Sequence, residues 1–205
     1  MKKLLIILIA LPMIGFGQHT YVPDSNFEAY LEANGMGNGM PNDDYVTTAN
    51  INTVTHLTLY SLGISDLTGI EDFTALAFLH CDTNQLTSLD VSANTALLNL
   101  GCSNNQLTSL DISANSILYE LGCYNNQLTS LDLRNGNNTI LLSINYGNNP
   151  NLLCIDVDDP SWSYNNWGNS GSTSFSLNCN SISGCTDSTA TNYNPLATID
   201  DGSCN

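Results

Sequence analysis

Positive charge is nearly missing from this chain. Its 205 residues contain three lysines and arginines against 19 aspartates and glutamates, and the formal net charge is −16 at pH 7. Nucleic acid and anionic lipid carry charge of the same sign and would be repelled by such a surface. The composition therefore excludes both as partners and leaves cations, neutral sugars and proteins. Acidity can also serve only to keep an exported protein soluble.

Catalytic patterns are missing as well. The histidines, His19, His56 and His80, are scattered, and neither a G-x-S-x-G nor an H-E-x-x-H pattern occurs. Lysine is confined to positions 2 and 3. These absences favour a protein that is not an enzyme.

An apolar run from Leu4 to Phe16 follows two lysines at the start of the chain. This arrangement is typical of a secretory signal peptide, and we expect residues 1–17 to be removed after Gly17. A membrane anchor needs roughly 18 or more apolar residues, and proline and glycine interrupt this run. We therefore expect a secreted or outer-surface protein whose mature charge moves from −16 to −18 because both lysines are lost.

The chain is rich in one repeat, which has a period of 21 residues. Three clear copies, led by Leu76, Leu97 and Leu118, fit the leucine-rich repeat pattern L-x-x-L-x-C-x-x-N-x-L. Degraded copies before and after them bring the total to about five coils. One copy cannot bury its own apolar side, so neighbours must stack and share a core. We predict a β-rich solenoid of leucine-rich repeats over residues 51–157.

Cysteine recurs at the same place in each clear copy, at Cys81, Cys102 and Cys123. These side chains should stack about 4.8 Å apart on parallel strands, where their Cβ vectors are poorly aimed for a disulfide. We predict buried free thiols. The alternative, a thiolate metal site, would want a nearby histidine, but His80 adjoins Cys81 and points to the opposite face of the strand.

Four cysteines remain, Cys154, Cys179, Cys185 and Cys204, and they allow three connectivities. The simplest pairs neighbours in sequence. It would tie down a C-terminal flank, residues 158–183, and close a small separate tail module, residues 184–205.

Both ends of the stack carry segments suited to cover them. In the N-terminal cap, residues 18–50, Ser25 and Glu28 have capping-box spacing and Gly35 can end a short helix. In the flank, Trp162 and Trp167 should bury against the last coil, although stacking on a sugar ring is the alternative.

Two polar columns accompany the repeat. Asparagine recurs after each strand, at Asn84, Asn105, Asn126 and Asn149. An amide there can donate to and accept from the backbone, so we predict a hydrogen-bonded column. On the return side, where alternation predicts extended chain, aspartate recurs at Asp90, Asp111, Asp132 and Asp156. Calcium could relieve their mutual repulsion, but hydrogen bonds from turn amides or nearby serines are the favoured interpretation.

The mature chain up to Cys179 resembles the short cysteine-ladder leucine-rich repeat proteins exported by Bacteroidetes-type bacteria. The resemblance rests on V-P-D-S-N-F-E from Val22, G-I-S-D-L-T-G-I-E from Gly63, the N-Q-L-T-S-L-D core and the C-terminal flank. It covers about four fifths of the chain. It implies a secreted or surface-displayed solenoid.

The tail, C-T-D-S-T-A-T-N-Y-N-P to D-D-G-S-C, is similar to a small cysteine-bounded module of secreted proteins in such bacteria. Some relatives are compared with calcium-binding thrombospondin type 3 repeats, whose D-x-D-x-D-G spacing is absent here. Oxygen ligands for calcium are available at Asp187, Asn192, Asn194, Asp200 and Asp201.

The strand residues opposite the buried cysteines should form one exposed face. We predict that a concave sheet presents a ligand-binding set there, Tyr60, His80, Asp82, Ser103, Tyr124 and Asn145. Glycines flatten the middle of this sheet, which favours a flat partner, either a protein or a glycan. We expect the chain to bind this partner as a monomer. The face can also be simply solvated.

Two other hypotheses belong to different classes. The first is a structural or adhesive element of the cell envelope that calcium stabilises through the tail and the aspartate column. The second is a hydroxyl row at Thr87, Thr108 and Thr129 that would suit ice or a crystalline polysaccharide.

Overall fold

The computed structural model describes residues 18–167, 173–179, 183–194, 197–200 and 202–205. The predicted signal peptide, residues 1–17, lies outside these. The strands are β1 His19–Tyr21, β2 Tyr45–Thr47, β3 His56–Thr58, β4 Phe78–His80, β5 Asn99–Gly101, β6 Ser109–Asp111, β7 Glu120–Gly122, β8 Ser130–Asp132, β9 Ser143–Asn145, β10 Cys154–Asp156, β11 Ser174–Ser176, β12 Ser183–Gly184 and β13 Ile199–Asp200. The helices are α1 Ser25–Ala33, α2 Thr48–Ile51 and α3 Pro160–Trp167, with 3₁₀ turns at Ile70–Asp72 and Asn138–Ile140.

A five-stranded parallel sheet, called the front sheet here, has the order β3-β4-β5-β7-β9. Leu79 lies opposite Leu100, and Leu100 lies opposite Leu121, so each register step is one repeat of the sequence. The step from β7 to β9 pairs Leu121 with Ile144 and absorbs the two extra residues of that copy. The predicted solenoid of stacked coils is confirmed.

A second parallel sheet, the back sheet, forms the return side in the order β11-β10-β8-β6. The extended return segments were predicted from Leu89 onward, but the sheet begins one copy later, at β6. Leu89 is only partly buried, whereas Leu110 is 3% exposed. In the preceding coil the matching residues, 66–68, belong to no strand, so Ser88–Asp90 has no extended neighbour on that side. A strand needs laterally aligned backbone on its flanks, so this copy stays irregular.

The core between the two sheets is a stack of leucines and thiols. Cys81, Cys102 and Cys123 are free and fully buried, as predicted. Burial raises the pKa of all three thiols, that of Cys123 to about 12. They therefore stay protonated at neutral pH and act as small apolar side chains rather than as nucleophiles or metal ligands.

The asparagine column is confirmed, and each member joins two coils. The Asn126 amide nitrogen donates to the carbonyls of Cys102 and Cys123, at 3.0 and 3.1 Å. Its oxygen accepts from the amide of Leu107, at 3.0 Å. Asn105 and Asn149 bond in the same way one coil earlier and one coil later. At these exits from the front sheet, buried backbone carbonyls thereby find an asparagine donor.

A second buried asparagine column, at Asn94, Asn115 and Asn138, was not predicted. Asn115 donates to the carbonyls of Val91 and Asn94, which close the preceding return turn. Asn138 accepts from the amide of Asp158. The same 21-residue spacing, stretched to 23 in the last copy, carried this signal in the sequence.

Replacing Asn126 by alanine should destabilise the protein by about 3 kcal/mol or more, because one buried amide and two buried carbonyls lose their partner. Gln127→Ala, at the exposed neighbour, serves as the matched control and should stay within about 0.5 kcal/mol of the wild type. Urea unfolding at pH 7 measures both. Equal effects of the two substitutions would contradict the bridging role of Asn126.

Helix α1 covers the N-terminal end of the stack. Phe27 and Leu31 are fully buried, and the Phe27 ring lies 6.2 Å from that of Phe73 in a stacked arrangement. At its C-terminus, Gly35 has φ 72° and donates to Glu32, while Met36 donates to Leu31. This pair of bonds is a Schellman motif, so the predicted helix end at Gly35 is confirmed.

The predicted capping box is wrong. The N-cap residue is Asp24, whose Oδ1 accepts from the amides of Asn26 and Phe27, both at 3.0 Å. Glu28 does not reach back to Ser25. It is buried and accepts from the amide of Asp43, because the loop after the helix folds over it and competes for its carboxylate.

Asp24 also joins the cap to the first coil. Its Oδ2 accepts from the amide and hydroxyl of Ser65 and from the amide of Asp66. Burial raises the pKa of Asp24, but these bonds and that from Phe27 outweigh it, so the pKa lies below its ordinary value. The pKa is depressed in the folded state. The charge of Asp24 therefore stabilises the fold above the unfolded-state pKa of about 3.9, and this contribution is lost as pH falls through the folded-state pKa.

Asp24→Ala should cost about 2 kcal/mol at pH 7, because it removes a helix cap and the bonds to Ser65 and Asp66. The difference from the wild type should shrink below about pH 4. Urea unfolding between pH 7 and pH 2 measures this. Asp24→Asn keeps a hydrogen-bond acceptor without the charge, so its free energy of unfolding should lie between those of the wild type and Asp24→Ala. A pH-independent difference would rule out the charge as the cause.

The C-terminal end is closed by the flank. The Cys154–Cys179 and Cys185–Cys204 disulfides are both present, matching the simplest pairing. Trp167 packs against the core, and its indole nitrogen donates to the carbonyl of Leu141 at 2.7 Å. Within the described part of the chain, no helix has the length and apolarity needed to cross a bilayer.

Candidate binding face

The outward side of the front sheet, called the front face, consists of three columns of side chains. The first column is His56, Phe78, Asn99, Glu120 and Ser143. The second column is Thr58, His80, Gly101, Gly122 and Asn145. The third column, just past the strands, is Tyr60, Asp82, Ser103, Tyr124 and Gly147, joined by backbone bonds between successive coils. Leucine and cysteine alternate with these columns and point into the core.

All six predicted ligand-binding residues lie on this face. Tyr60, Asp82, Ser103 and Tyr124 share the third column, and His80 and Asn145 lie in the second. The tyrosines are the most accessible large members, with Tyr60 61% and Tyr124 41% exposed. The structure thus brings the set together on one surface, and its role in binding stays a prediction.

The side chains of His80 and Asp82 occupy the space next to Gly101 where a β-carbon would otherwise lie. The Asp82 carboxylate accepts from the amide of Ser103 at 2.9 Å, and its other oxygen lies 3.9 Å from the His80 ring nitrogen. Serine, histidine and aspartate meet here, but the arrangement differs from a hydrolytic triad. The Asp82 carboxylate accepts from the backbone amide of Ser103, not from its hydroxyl. The 3.9 Å between Asp82 Oδ2 and His80 Nδ1 is too long for a hydrogen bond.

Tyr124 covers Gly147, the glycine of its own column, in the same manner. A methyl group built on Gly147 would lie 3.4 Å from the Tyr124 ring. One built on Gly122 would lie 3.3 Å from the Ser103 hydroxyl. Glycine therefore leaves room for polar and aromatic side chains of one coil to lie across the strand of the next coil.

The first column was missed from the sequence. His56 and Phe78 stack at 4.4 Å with an interplanar angle of 12°. The Glu120 carboxylate accepts from the Asn99 amide at 2.5 Å. These residues carry the same period and lie two positions before His80 and its equivalents, so strand alternation placed them on the face.

An apolar flank borders the first column and was also missed. Its members precede the front strands in successive coils: Leu98, Ile117, Tyr119, Ile140 and Leu142. The amide of Tyr119 donates to Leu98, and that of Leu142 donates to Tyr119, so these three side chains lie on adjacent coils. Leu142 is 76% exposed. Grouped exposed aliphatic side chains are typical of an interaction surface.

The aspartate column of the back sheet follows the hydrogen-bond interpretation. Asp90 accepts from the amide of Ser92 and Asp111 from that of Ser113, at 2.9 and 2.8 Å. The Ser92 hydroxyl and amide lower the pKa of Asp90. Asp132 pairs with Arg134, whose guanidinium lowers its pKa. Local donors thus offset the repulsion that calcium was invoked to relieve.

The predicted calcium ligands of the tail bond within the tail. Asp187 accepts from the amide and hydroxyl of Thr189, and Asp200 accepts from the amide of Gly202. Asn192 donates to Ser203 and accepts from Asn205. In the ranges that the structure describes, no three His, Cys, Asp or Glu side chains are placed to hold a metal. Asp201 lies outside those ranges, and calcium binding stays a prediction.

Replacing Gly101 by alanine should disturb the front face without unfolding the protein. The new methyl would lie 2.6 Å from the Asp82 carboxylate and 2.9 Å from the His80 ring, so both side chains must move. The Ser103 amide should lose its bond to Asp82 and shift in a proton–nitrogen NMR spectrum. Gly147→Ala, whose methyl would meet the Tyr124 ring at 3.4 Å and would not touch Ser103, is the control. An unchanged Ser103 amide in Gly101→Ala would contradict this geometry.

Comparison with known proteins identifies relatives of the repeats. A stretch of 75 residues, 37% of this chain and 8% of the relative, is 36% identical to internalin J of Listeria monocytogenes serotype 4b. The solved functional domain of internalin J, which includes a cysteine ladder, is 33% identical. The match covers 69% of this chain and 33% of that domain, with a TM-score of 0.56. No family model matches the chain.

The internalin InlF of the same species is 20% identical over 76% of this chain and 56% of that structure, with a TM-score of 0.48. The chain thus spans a small part of the curated relative that it matches. The repeats are homologous to those of Listeria internalins and share a leucine-rich repeat fold and a cysteine ladder with internalin J. An origin in Bacteroidetes-type bacteria stays a prediction.

Proposed function

We propose that the mature chain is a secreted or surface-displayed binding module without enzymatic activity, and that its front face binds a protein. The observation that carries the proposal is the front face itself. Five coils hold aromatic, amide and carboxylate side chains in three registered columns over a rigid core. Such a surface suits a flat macromolecular partner better than a small molecule, which needs a concave pocket.

The apolar flank favours a protein over a glycan. Leu142 is 76% exposed and directly precedes Ser143 of the first column, and Ile117, three residues before Glu120, is exposed as well. Both offer aliphatic area without polar groups. Buried aliphatic and aromatic anchors are typical of protein interfaces, whereas sugars need stacked rings and many hydrogen bonds. Tyr60 and Tyr124 lie three coils apart, too far to hold one sugar ring between them.

His80→Ala/Tyr124→Ala should weaken partner binding by tenfold or more, because removing central aromatic anchors costs about 2 kcal/mol at such interfaces. The mature chain is first applied to an array of extracellular proteins and glycans. Dissociation constants are then measured by biolayer interferometry. His19→Ala/Tyr193→Ala removes the same residue types away from the face and is the control, with thermal melting to check folding.

Binding that survives unchanged in the His80 and Tyr124 variant would remove the proposal. If the wild type selectively binds a glycan and the variant does not, the front face remains the proposed binding site, but the partner is a glycan instead of a protein.

A further inference from the structure

The front face has acidic side chains but no lysine or arginine. Its acidic residues are Asp82 and Glu120. Arg134, the single arginine of the chain, lies outside the face and is bonded to Asp132 beside the back sheet. A partner therefore meets a negative potential at every approach to this face.

Each of the two carboxylates accepts one orienting hydrogen bond and keeps further acceptor capacity. Asp82 accepts from the Ser103 amide through one oxygen, and its side chain remains 20% exposed. Glu120 accepts from Asn99 through one oxygen and is exposed. Each keeps acceptor capacity for an incoming donor, and the orienting bond fixes where that donor must lie.

The two carboxylates sit at opposite corners of a strip of the face that contains two glycines, called the glycine strip here. Gly101 and Gly122 have no side chains of their own, so the side chains of Asp82 and His80 lie across Gly101 and the Ser103 hydroxyl lies beside Gly122. Asp82 and Glu120 are two strands apart and four residues apart along the strand direction, so their α-carbons lie roughly 16 Å from each other. An extended peptide covers that distance in about five residues.

Aromatic rings flank the same strip. Tyr60 and Tyr124 share the column of Asp82, and Phe78 shares that of Glu120. Arginine and lysine pack their stems on aromatic rings while their charged groups reach carboxylates. The face thus offers both kinds of contact that a long basic side chain makes.

We propose that the partner binds the front face through an extended segment bearing arginine or lysine, which Asp82 and Glu120 take at the two ends of the glycine strip. This inference rests on the proposed function and names the chemistry of its partner. A second copy of this acidic chain would be repelled, and so would sulfated or phosphorylated polymers. The occupant is a basic polypeptide segment.

Fluorescein-labelled nona-arginine is the probe, and its fluorescence anisotropy is titrated with the mature wild-type chain at low salt and at 0.3 M salt. Asp82→Asn/Glu120→Gln keeps both acceptors and removes two charges from the face. Asp66→Asn/Asp111→Asn removes two exposed charges from outside the face and is the matched control. Melting temperatures check that all three proteins fold alike.

The face variant should weaken binding about tenfold or more, while the control weakens it less than twofold, because charge pairs act within roughly 10 Å in salt. Equal losses in the two variants would overturn the inference, since general attraction to an acidic chain would explain them. It also falls if nona-arginine fails to bind while a partner from the array still depends on His80 and Tyr124. In that case the proposed function stands without it.

Discussion

The fold depends on how the backbone is satisfied where the chain turns out of a sheet. A solenoid coil makes such turns every few residues inside a dry stack, and an unpaired amide or carbonyl there costs more than a typical contact contributes. The buried asparagines meet this demand. At Asn105, Asn126 and Asn149 one side-chain amide serves two carbonyls and one backbone amide. In the second column, the Asn115 side chain serves two carbonyls. Each coil therefore depends on hydrogen bonds with the neighbouring coil to satisfy the backbone of its own turns. The columns of the front face exist because these bonds and the backbone pairing keep all five strands in register.

The period made the repeats predictable from sequence, and the chain ends were harder. Equivalent residues 21 positions apart had to stack, so the core, the thiol ladder and the Asn126 column followed from spacing alone. The capping box failed for a local reason. Asp24 and Ser25 are both good capping residues, and the choice between them was made by Ser65, which is distant in sequence and donates to Asp24. Such contacts between distant residues do not recur with the 21-residue period, so the repeat pattern cannot predict them.

The face was predicted in part for the same reason. Residues next to the cysteines could be assigned to the outside by alternation, which placed His80, Asp82 and Tyr124 correctly. Glu120 and the apolar flank were missed because the strand was predicted to begin at the leucine two positions before the cysteine, whereas strands β4, β5 and β7 begin one residue earlier. The way Asp82 bends across Gly101 to the next strand was beyond sequence reasoning, since it depends on a side-chain torsion that the pattern does not encode.

The registered step between coils has a consequence for how such a surface can change. Because every coil offers the same bonding partners to the next, the gene segment for one 21-residue copy can be duplicated as a unit. Its duplication would widen the sheet by one strand spacing, about 4.8 Å, and the new coil would make the same contacts with the coils on both sides of it. The breadth of the surface can therefore evolve separately from the identity of the side chains displayed on it.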